Sequence, residues 1–259
     1  MFSYKTKGIV LKRRDVGEAD KIITVFGEKE GKIIARAKGV RKILAKNGGS
    51  VELFTLADFI FISGKKMDIL TSATIINSFS NLKKNLKKTG LAYYFAELVD
   101  KLTLEKERNE EVFDLLCQTF SVLNNNKFSI AQHSSHLIIQ YCELNLLSFL
   151  GFRPQLEFCL KCGEKISPVK NYFSFQSGGI YCSKCSQNGR QVRSISPDAL
   201  KILKIILRVS LEKFLKIKIH QNIQKEAREI INKFLIHIAE REFKSVKFLK
   251  QIDETEKVI

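Results

Sequence analysis

Four cysteines carry the clearest chemistry in the chain. Cys159 and Cys162 form one C-x2-C pair, Cys182 and Cys185 a second, and nineteen residues lie between the pairs. Two residues between thiols let a tight turn aim both at one ion, and Gly163 supplies permissive backbone beside the first pair. Two such pairs at this spacing predict a four-thiolate site for one Zn2+. Four thiolates leave no open position for water or substrate, so the metal is expected to be structural and to contribute folding energy. Lys161, Lys165 and Lys184 flank the ligands and offset part of the site's negative charge. The rival reading is dithiol redox chemistry by each pair alone. Two matched pairs favour the metal, and disulfides fit a reducing compartment less well. Cys117 and Cys142 fall on apolar helical stretches and are expected in the core.

Other reactive residues give weaker patterns. His133 and His136 stand three apart on a helical stretch, but no third ligand accompanies them. Asp15, Glu18 and Asp20 cluster around Gly17, where a polar turn explains them more simply than a hydrated Mg2+. The chain has no Walker A loop, no G-x-S-x-G, no dinucleotide fingerprint and no H-E-x-x-H. This moves the expectation from an enzyme to a binding protein.

Charge says what would be bound. The 259 residues hold 44 Lys plus Arg against 27 Asp plus Glu, a net +17, which suggests a polyanionic partner, nucleic acid before acidic membrane. No apolar run reaches the roughly 18 residues of a membrane span, and residues 1–14 lack the apolar core of a secretory signal, so an intracellular protein is expected. Three stretches contain no carboxylate: 31–51, 69–96 and 165–197. In the second, Lys83, Lys84, Lys87 and Lys88 are spaced to share one helix face. A solvated surface usually mixes signs, so acid-free stretches favour binding over decoration.

The elements that would position these residues are of two kinds. Eight of the 14 glycines lie in residues 1–64, and no proline precedes Pro154, so turn-rich chain gives way to helix-rich chain. Residues 7–13, 21–26, 32–38, 53–62 and 68–76 read as five strands between turn signals, enough for a small closed barrel without exposed edges. Helices follow. Asn109 is the expected cap of one, with Glu110 and Glu111 suited to its dipole. A helix over 129–150 is apolar nearly all round, should lie at the centre of the core, and should stop at Gly151 before Pro154. Between the cysteine pairs, 172–175 and 180–181, split by Gly178-Gly179, read as a hairpin. Ser196-Pro197 opens another helix, and Ile223, Ala227, Ile230, Ile231, Phe234, Leu235 and Ile238 stripe a last one. The tail 253–259 should fray.

Several blocks together resemble a known family. Lys7-Gly8-Ile9-Val10-Leu11-Lys12, then Gly17-Glu18-Ala19-Asp20-Lys21-Ile22-Ile23-Thr24-Val25-Phe26, Gly31-Lys32 and Ala37-Lys38-Gly39-Val40-Arg41-Lys42 are similar to the N-terminal barrel of the bacterial RecO recombination mediators. Phe149-Leu150-Gly151-Phe152-Arg153-Pro154-Gln155-Leu156, the four-cysteine segment with Gly178-Gly179, and Lys244-Ser245-Val246-Lys247-Phe248-Leu249 continue the likeness in order. The resemblance implies an α+β protein: a five-stranded OB-fold barrel over residues 1–80, then an α-helical domain over 81–259 interrupted by a zinc-binding module at 156–190. It implies a non-enzymatic, cytoplasmic and nucleoid-associated role in DNA repair and recombination, with no membrane partner. Such a protein binds single- and double-stranded DNA, anneals complementary strands and acts with RecR to load RecA on DNA coated by SSB, whose C-terminal tail it also binds. The middle helices match only as a pattern of apolar positions, so no pocket for that tail is assigned to residues. A zinc-ribbon RNA-binding or transcription-associated protein is the alternative.

OB barrels track phosphates with cations and stack bases on aromatic rings. The expected phosphate contacts are Arg36, Lys38, Arg41, Lys42 and Lys46, with Arg13, Arg14, Lys21 and Lys32 as additions and the face of Lys83, Lys84, Lys87 and Lys88 extending the groove. Phe26, Phe54, Phe59 and Phe61 are expected in the barrel core rather than against bases.

Overall fold

The computed structural model describes residues 2–42, 45, 47–126, 135–186, 192–240 and 243. These fall into two compact units, one within Met1–Ile130 together with Phe243, the other within Ala131–Glu242. The change from strand to helix at residue 80 lies inside the first unit.

The first unit is built on five strands: β1 (Ser3–Val16), β2 (Asp20–Gly27), β3 (Gly31–Ala37), β4 (Leu56–Ile62) and β5 (Asp68–Asn77). They close into a barrel of order β1-β2-β3-β5-β4. The 14-residue β1 makes closure possible, because its first half pairs with β4 and its second half with β2. The β3–β5 seam is parallel and short, from Ala35↔Asp68 to Ala37↔Leu70. Alternation then dictates the interior: Val10, Ile23, Val25, Ile33, Ala35, Ala37, Ala57, Phe59, Phe61 and Leu70 form one buried cluster. Phe59 and Phe61 are thus barrel-core residues as expected; Phe26 and Phe54 are buried too but outside that cluster, Phe54 edge-on to Tyr93 and Phe120. A single 3-10 turn (Gly49–Val51) precedes β4.

The remaining elements of this unit are α1 (Ser80–Lys83), α2 (Leu86–Leu102) and α3 (Glu110–Asn124). Asn109 caps α3 as expected, accepting from the Val112 N–H at 3.0 Å. Asn85 caps α2 in the same way, accepting from Lys88 N–H at 3.0 Å. That cap overturns one expectation: Lys83, Lys84, Lys87 and Lys88 do not share a helix face. The chain leaves helical geometry at Asn85 (φ −118°, ψ 121°), between the two lysine pairs.

The second unit centres on α4 (Ser135–Leu147), whose residues 137–147 are all buried, as its all-round apolar character requires. A π turn (Ser148–Phe152) continues it, and Gly151 breaks helical geometry at φ +89°. Two polar residues of α4 donate to main-chain carbonyls: Gln140 to Gln224 O at 2.8 Å, and Asn145 to Tyr141 O and Ile206 O. Around it lie α5 (Pro197–Ile206), α6 (Leu211–Phe214) and α7 (Gln221–Ala239). Ser196 caps α5 through Ala199 N–H, and Glu226 accepts from both the N–H and the hydroxyl of Ser196. A three-stranded sheet of order β7-β6-β8 completes the unit: β6 (Asn171–Ser174), β7 (Gly179–Tyr181) and β8 (Val192–Ile195). The β6–β7 hairpin is the one expected. β8 was not anticipated; it adds a strand past residue 190 and pairs with β6 from Asn171↔Ile195. Segments 129–134 and 253–259 lie outside the described residues.

Candidate metal centre and nucleic-acid interface

The four cysteines converge. The Sγ atoms of Cys159, Cys162, Cys182 and Cys185 lie within 4.8 Å of one another, and Cys162 and Cys182 stand 3.9 Å apart. Tetrahedral bonds of about 2.3 Å put thiolates about 3.8 Å apart, so the cluster fits a Zn2+-sized ion. Backbone geometry produces this. The first pair sits in a narrow hairpin, with Ile166 N–H on Glu157 O, Cys159 N–H on Glu164 O, and Gly163 N–H on Cys159 O. Gly163 takes φ +71°, which favours glycine. The second pair turns the same way, Cys185 N–H donating to Cys182 O at 3.0 Å. Leu160 N–H bonds Ile180 O at 2.9 Å and ties the first knuckle to β7. Gly179 allows this close approach: a Cβ there would stand 2.8 Å from Gln155 O and 3.0 Å from Leu160 Cδ1.

The electrostatics suit a cation. Burial raises the Cys159 thiol, but amides of Cys162, Cys182 and Lys161 outweigh it and bring the pKa down to about 6. Cys185 is pushed up to about 12, by desolvation and then by its neighbouring thiols. Four sulfurs this close ionise together only when a cation compensates them. Elsewhere, Cys142 is buried, and burial pushes Cys117 up to about 12, as befits packing residues. His136 faces the Arg228 guanidinium at 2.5–2.7 Å; His133 lies outside the described residues.

The cations of the barrel divide into three groups. Arg14, Lys38 and Lys42 are exposed and hold no ion pair among the described residues. A second group is paired with the β1–β2 turn. Arg36 pairs with Asp20 at 2.7 Å, Arg41 lies 3.6 Å from Asp15, and Lys21 reaches Asp15 at 2.5 Å. Asp20 also accepts from Gly39 N–H at 2.8 Å; that bond and Arg36 hold its pKa below the ordinary carboxylate value. Asp15 is lowered chiefly by Lys21. The three acids near Gly17 thus include two counter-ions, which favours the polar-turn reading. Arg13 is paired as well, but with Glu52, which follows the 3-10 turn. A stretch free of acid in sequence is therefore not free of acid in space.

The third group is a correction. Lys32 and Lys88, expected on phosphates, are buried. Lys32 Nζ donates to Asp100 O and Thr103 O, both at 2.6 Å, at the end of α2. Lys88 Nζ donates to Asn125 O at 3.0 Å, at the end of α3. Both ammonium groups satisfy helix C-terminal carbonyls, where the dipole favours a cation, and burial lowers both pKa values. Lys83 is an exposed residue, but its ammonium turns onto the Thr55 hydroxyl at 3.2 Å, where desolvation lowers its pKa. Lys84 stays exposed and Lys87 half-buried. Lys46 lies outside the described residues.

A site that sequence reasoning missed lies in the second unit. A cleft of about 180 Å3 is lined by Arg153, Pro154, Leu156, Glu157, Lys204 and Arg208. Glu157 accepts from Lys204 at 2.9 Å and Arg208 at 2.6 Å. The signal was present only as an i, i+4 cation pair on α5 and its exit.

Comparison with known proteins agrees with this architecture. Residues 1–79 match the family model described as Recombination protein O N terminal, and residues 83–247 match Recombination protein O C terminal. A DNA repair protein RecO from Roseiflexus sp. (strain RS-1) is 33% identical over 249 residues, covering 96% of this chain and 86% of that protein. One from Pelotomaculum thermopropionicum is 32% identical over 252 residues, covering 97% and 95%. One from Desulforamulus reducens is 30% identical over 249 residues, covering 96% and 94%. With a closed N-terminal barrel, helices behind it and clustered cysteines in the expected order, the chain belongs to the RecO family of DNA repair and recombination proteins.

Proposed function

We propose that the protein is a non-enzymatic mediator that binds single- and double-stranded DNA, anneals complementary strands and, with RecR, helps load RecA on SSB-coated single strands. Residues 1–80 act as the DNA-binding domain, and the four cysteines hold one structural Zn2+ in the helical part. The observation that carries the reading is the set of exposed cations on the barrel, with Arg14, Lys38 and Lys42 holding no ion pair among the described residues. Arg36 and Arg41 join them by exchanging an exposed carboxylate for a phosphate, a swap that costs little because surface pairs are weak.

Binding of this kind is electrostatic and not sequence-specific. Affinity falls with salt at a log–log slope of roughly −0.7 per phosphate neutralised on a single strand. Annealing follows from the same charge: a cationic surface that neutralises two strands lowers their mutual repulsion. The test is Arg41→Glu with Lys42→Glu, assayed by fluorescence anisotropy and strand annealing with metal content measured on the same sample. Loss of at least tenfold in affinity with metal retained supports the reading; unchanged affinity rejects it. Preference for structured RNA over single-stranded DNA would favour the alternative of a zinc-ribbon RNA-binding protein.

Recruitment by SSB is a separable part. An acidic tail with an apolar tip needs an apolar cleft rimmed by cations, and the cleft with Pro154, Leu156, Arg153, Lys204 and Arg208 is the candidate, where the tail's carboxylates would displace Glu157 from Lys204 and Arg208. Titration with a tail peptide against Lys204→Ala and Arg208→Ala tests it. The site of action is the cytoplasm, at the nucleoid; no helix among the described residues is long and apolar enough to cross a membrane.

A further inference from the structure

The second unit carries a cationic surface that the barrel does not explain. Between Glu212 and Glu226 there is no acid, and Lys213, Lys216, Lys218 and Lys225 fall there with His220. All five side chains are exposed, and none holds an ion pair or hydrogen bond through its side chain among the described residues. Other lysines of the unit are exposed without a printed partner as well, but here four fall within thirteen residues. Lys204 and Arg208 are held by Glu157, and Arg193 by Glu229. The acids of α7 are engaged elsewhere: Glu229 on Arg193 and Glu226 on the Ser196 cap.

The segment that presents these charges is anchored. Leu211, Phe214 and Leu215 are buried, and the Phe214 ring lies 5.8 Å from that of Tyr141. Successive turns close through Lys216 N–H on Lys213 O and Ile217 N–H on Phe214 O. The first turn of α7 is fixed to α4 by the Gln140 bond to Gln224 O. Lys216 and Lys218 stand on this pinned turn, Lys213 in α6 before it and Lys225 in α7 after it, with the exposed Glu212 at one edge; four cations against one carboxylate leave a net positive field.

We infer that the turn from α6 to α7 is a second polyanion-binding surface, and that its ligand is the phosphate backbone of a second DNA strand. This rests on the reading of the barrel as the first strand's site. Annealing needs two strands held by one molecule, and two cationic surfaces on two compact units supply that without competition for one groove. Compact ammonium groups act as point charges for phosphate, so the surface adds affinity without sequence preference.

The experiment uses the full chain with Lys213→Glu, Lys216→Glu and Lys218→Glu combined, and a milder variant with all three changed to Gln. Metal content and melting confirm folding; the Gln variant keeps the test valid should the reversal destabilise the turn. Binding of one labelled single strand is measured first, then annealing of its complement with that strand already saturated. The expected result is a change below about threefold in first-strand affinity and a loss of tenfold or more in annealing rate for the reversal, with an intermediate loss for Gln. Unchanged annealing overturns the inference. Equal loss of first-strand binding and annealing also overturns it, because the surface then belongs to the first strand. Loss of binding to phosphatidylglycerol vesicles with annealing intact overturns it in favour of a membrane. Failure of the barrel reading is distinct: it shows as unchanged first-strand affinity in Arg41→Glu with Lys42→Glu.

Discussion

The cysteine module and the basic turns of the barrel place charge-bearing groups in opposite ways. In the module, most partners are local: each thiol's pair-mate is three residues away, and of the amides aimed at Cys159 those of Lys161 and Cys162 are adjacent in sequence while only that of Cys182 comes from across the hairpin. On the barrel, partners are distant. Arg36 finds Asp20, Arg41 finds Asp15, and Lys32 finds carbonyls at Asp100 and Thr103. Local geometry can be written into spacing, whereas a cation's partner across a barrel depends on closure. The stability logic differs too. The barrel encloses a buried cluster of aliphatic and aromatic side chains, while the module's small sheet contributes few large core residues, chiefly Phe173 and Ile180. A metal therefore has more to contribute in the second region.

Breaking the module should have the largest effect. Structural zinc binding is worth on the order of 10 kcal/mol in small domains. Cys159→Ser or Cys182→Ser should abolish metal binding and expose the 155–186 segment to protease, while the barrel stays folded; limited proteolysis with mass spectrometry reads both. Chelation of the wild-type chain should reproduce the pattern.

The next effect separates the two kinds of barrel lysine. Lys32→Ala should cost about 3 kcal/mol, because two buried carbonyls lose a charged donor. DNA affinity below the melting temperature should not change. Lys42→Ala should do the reverse: no shift in melting, weaker binding and a shallower salt slope. Thermal melting and anisotropy on both variants settle the contrast.

Gly179→Ala sharpens the module side. A methyl group 2.8 Å from Gln155 O must push the knuckle away from β7, at about 1–3 kcal/mol. Melting should fall and metal should be released at a lower chelator concentration than from wild type.

The smallest effect concerns acid. The folded pKa of Asp20 is depressed, so its contribution is present at neutral pH and is lost as pH falls through the folded value, below the ordinary 3.8. The Gly39 amide resonance should report that transition in an NMR titration, and Asp20→Asn should remove it. The same variant releases Arg36, so single-strand affinity should rise slightly at low salt.

Much of this was legible from residues. Five β-branched runs between turns forecast the barrel, and an all-round apolar stretch forecast the buried α4. Asn109 and Ser196-Pro197 marked helix starts correctly. The lysine face at 83–88 failed because Asn85, itself a good cap residue, starts a new helix there. Lys32 failed because residue type and an acid-free neighbourhood in sequence do not show what folds over a cation: the end of α2 covers it with the carbonyls of Asp100 and Thr103. β8 is only four residues of mixed burial, too short to stand out as a strand although Asn188-Gly189 ahead of it is a turn signal.

The order of elements, the barrel's inward-facing positions and the metal ligands were determined by the sequence, because periodicity and a two-residue loop act within a few residues. Which cations remain available to a polyanion was decided only by tertiary structure. Electrostatic pairing reaches across space, and the barrel brings Asp15 and Asp20 to arginines that stand 26 and 16 residues away, respectively.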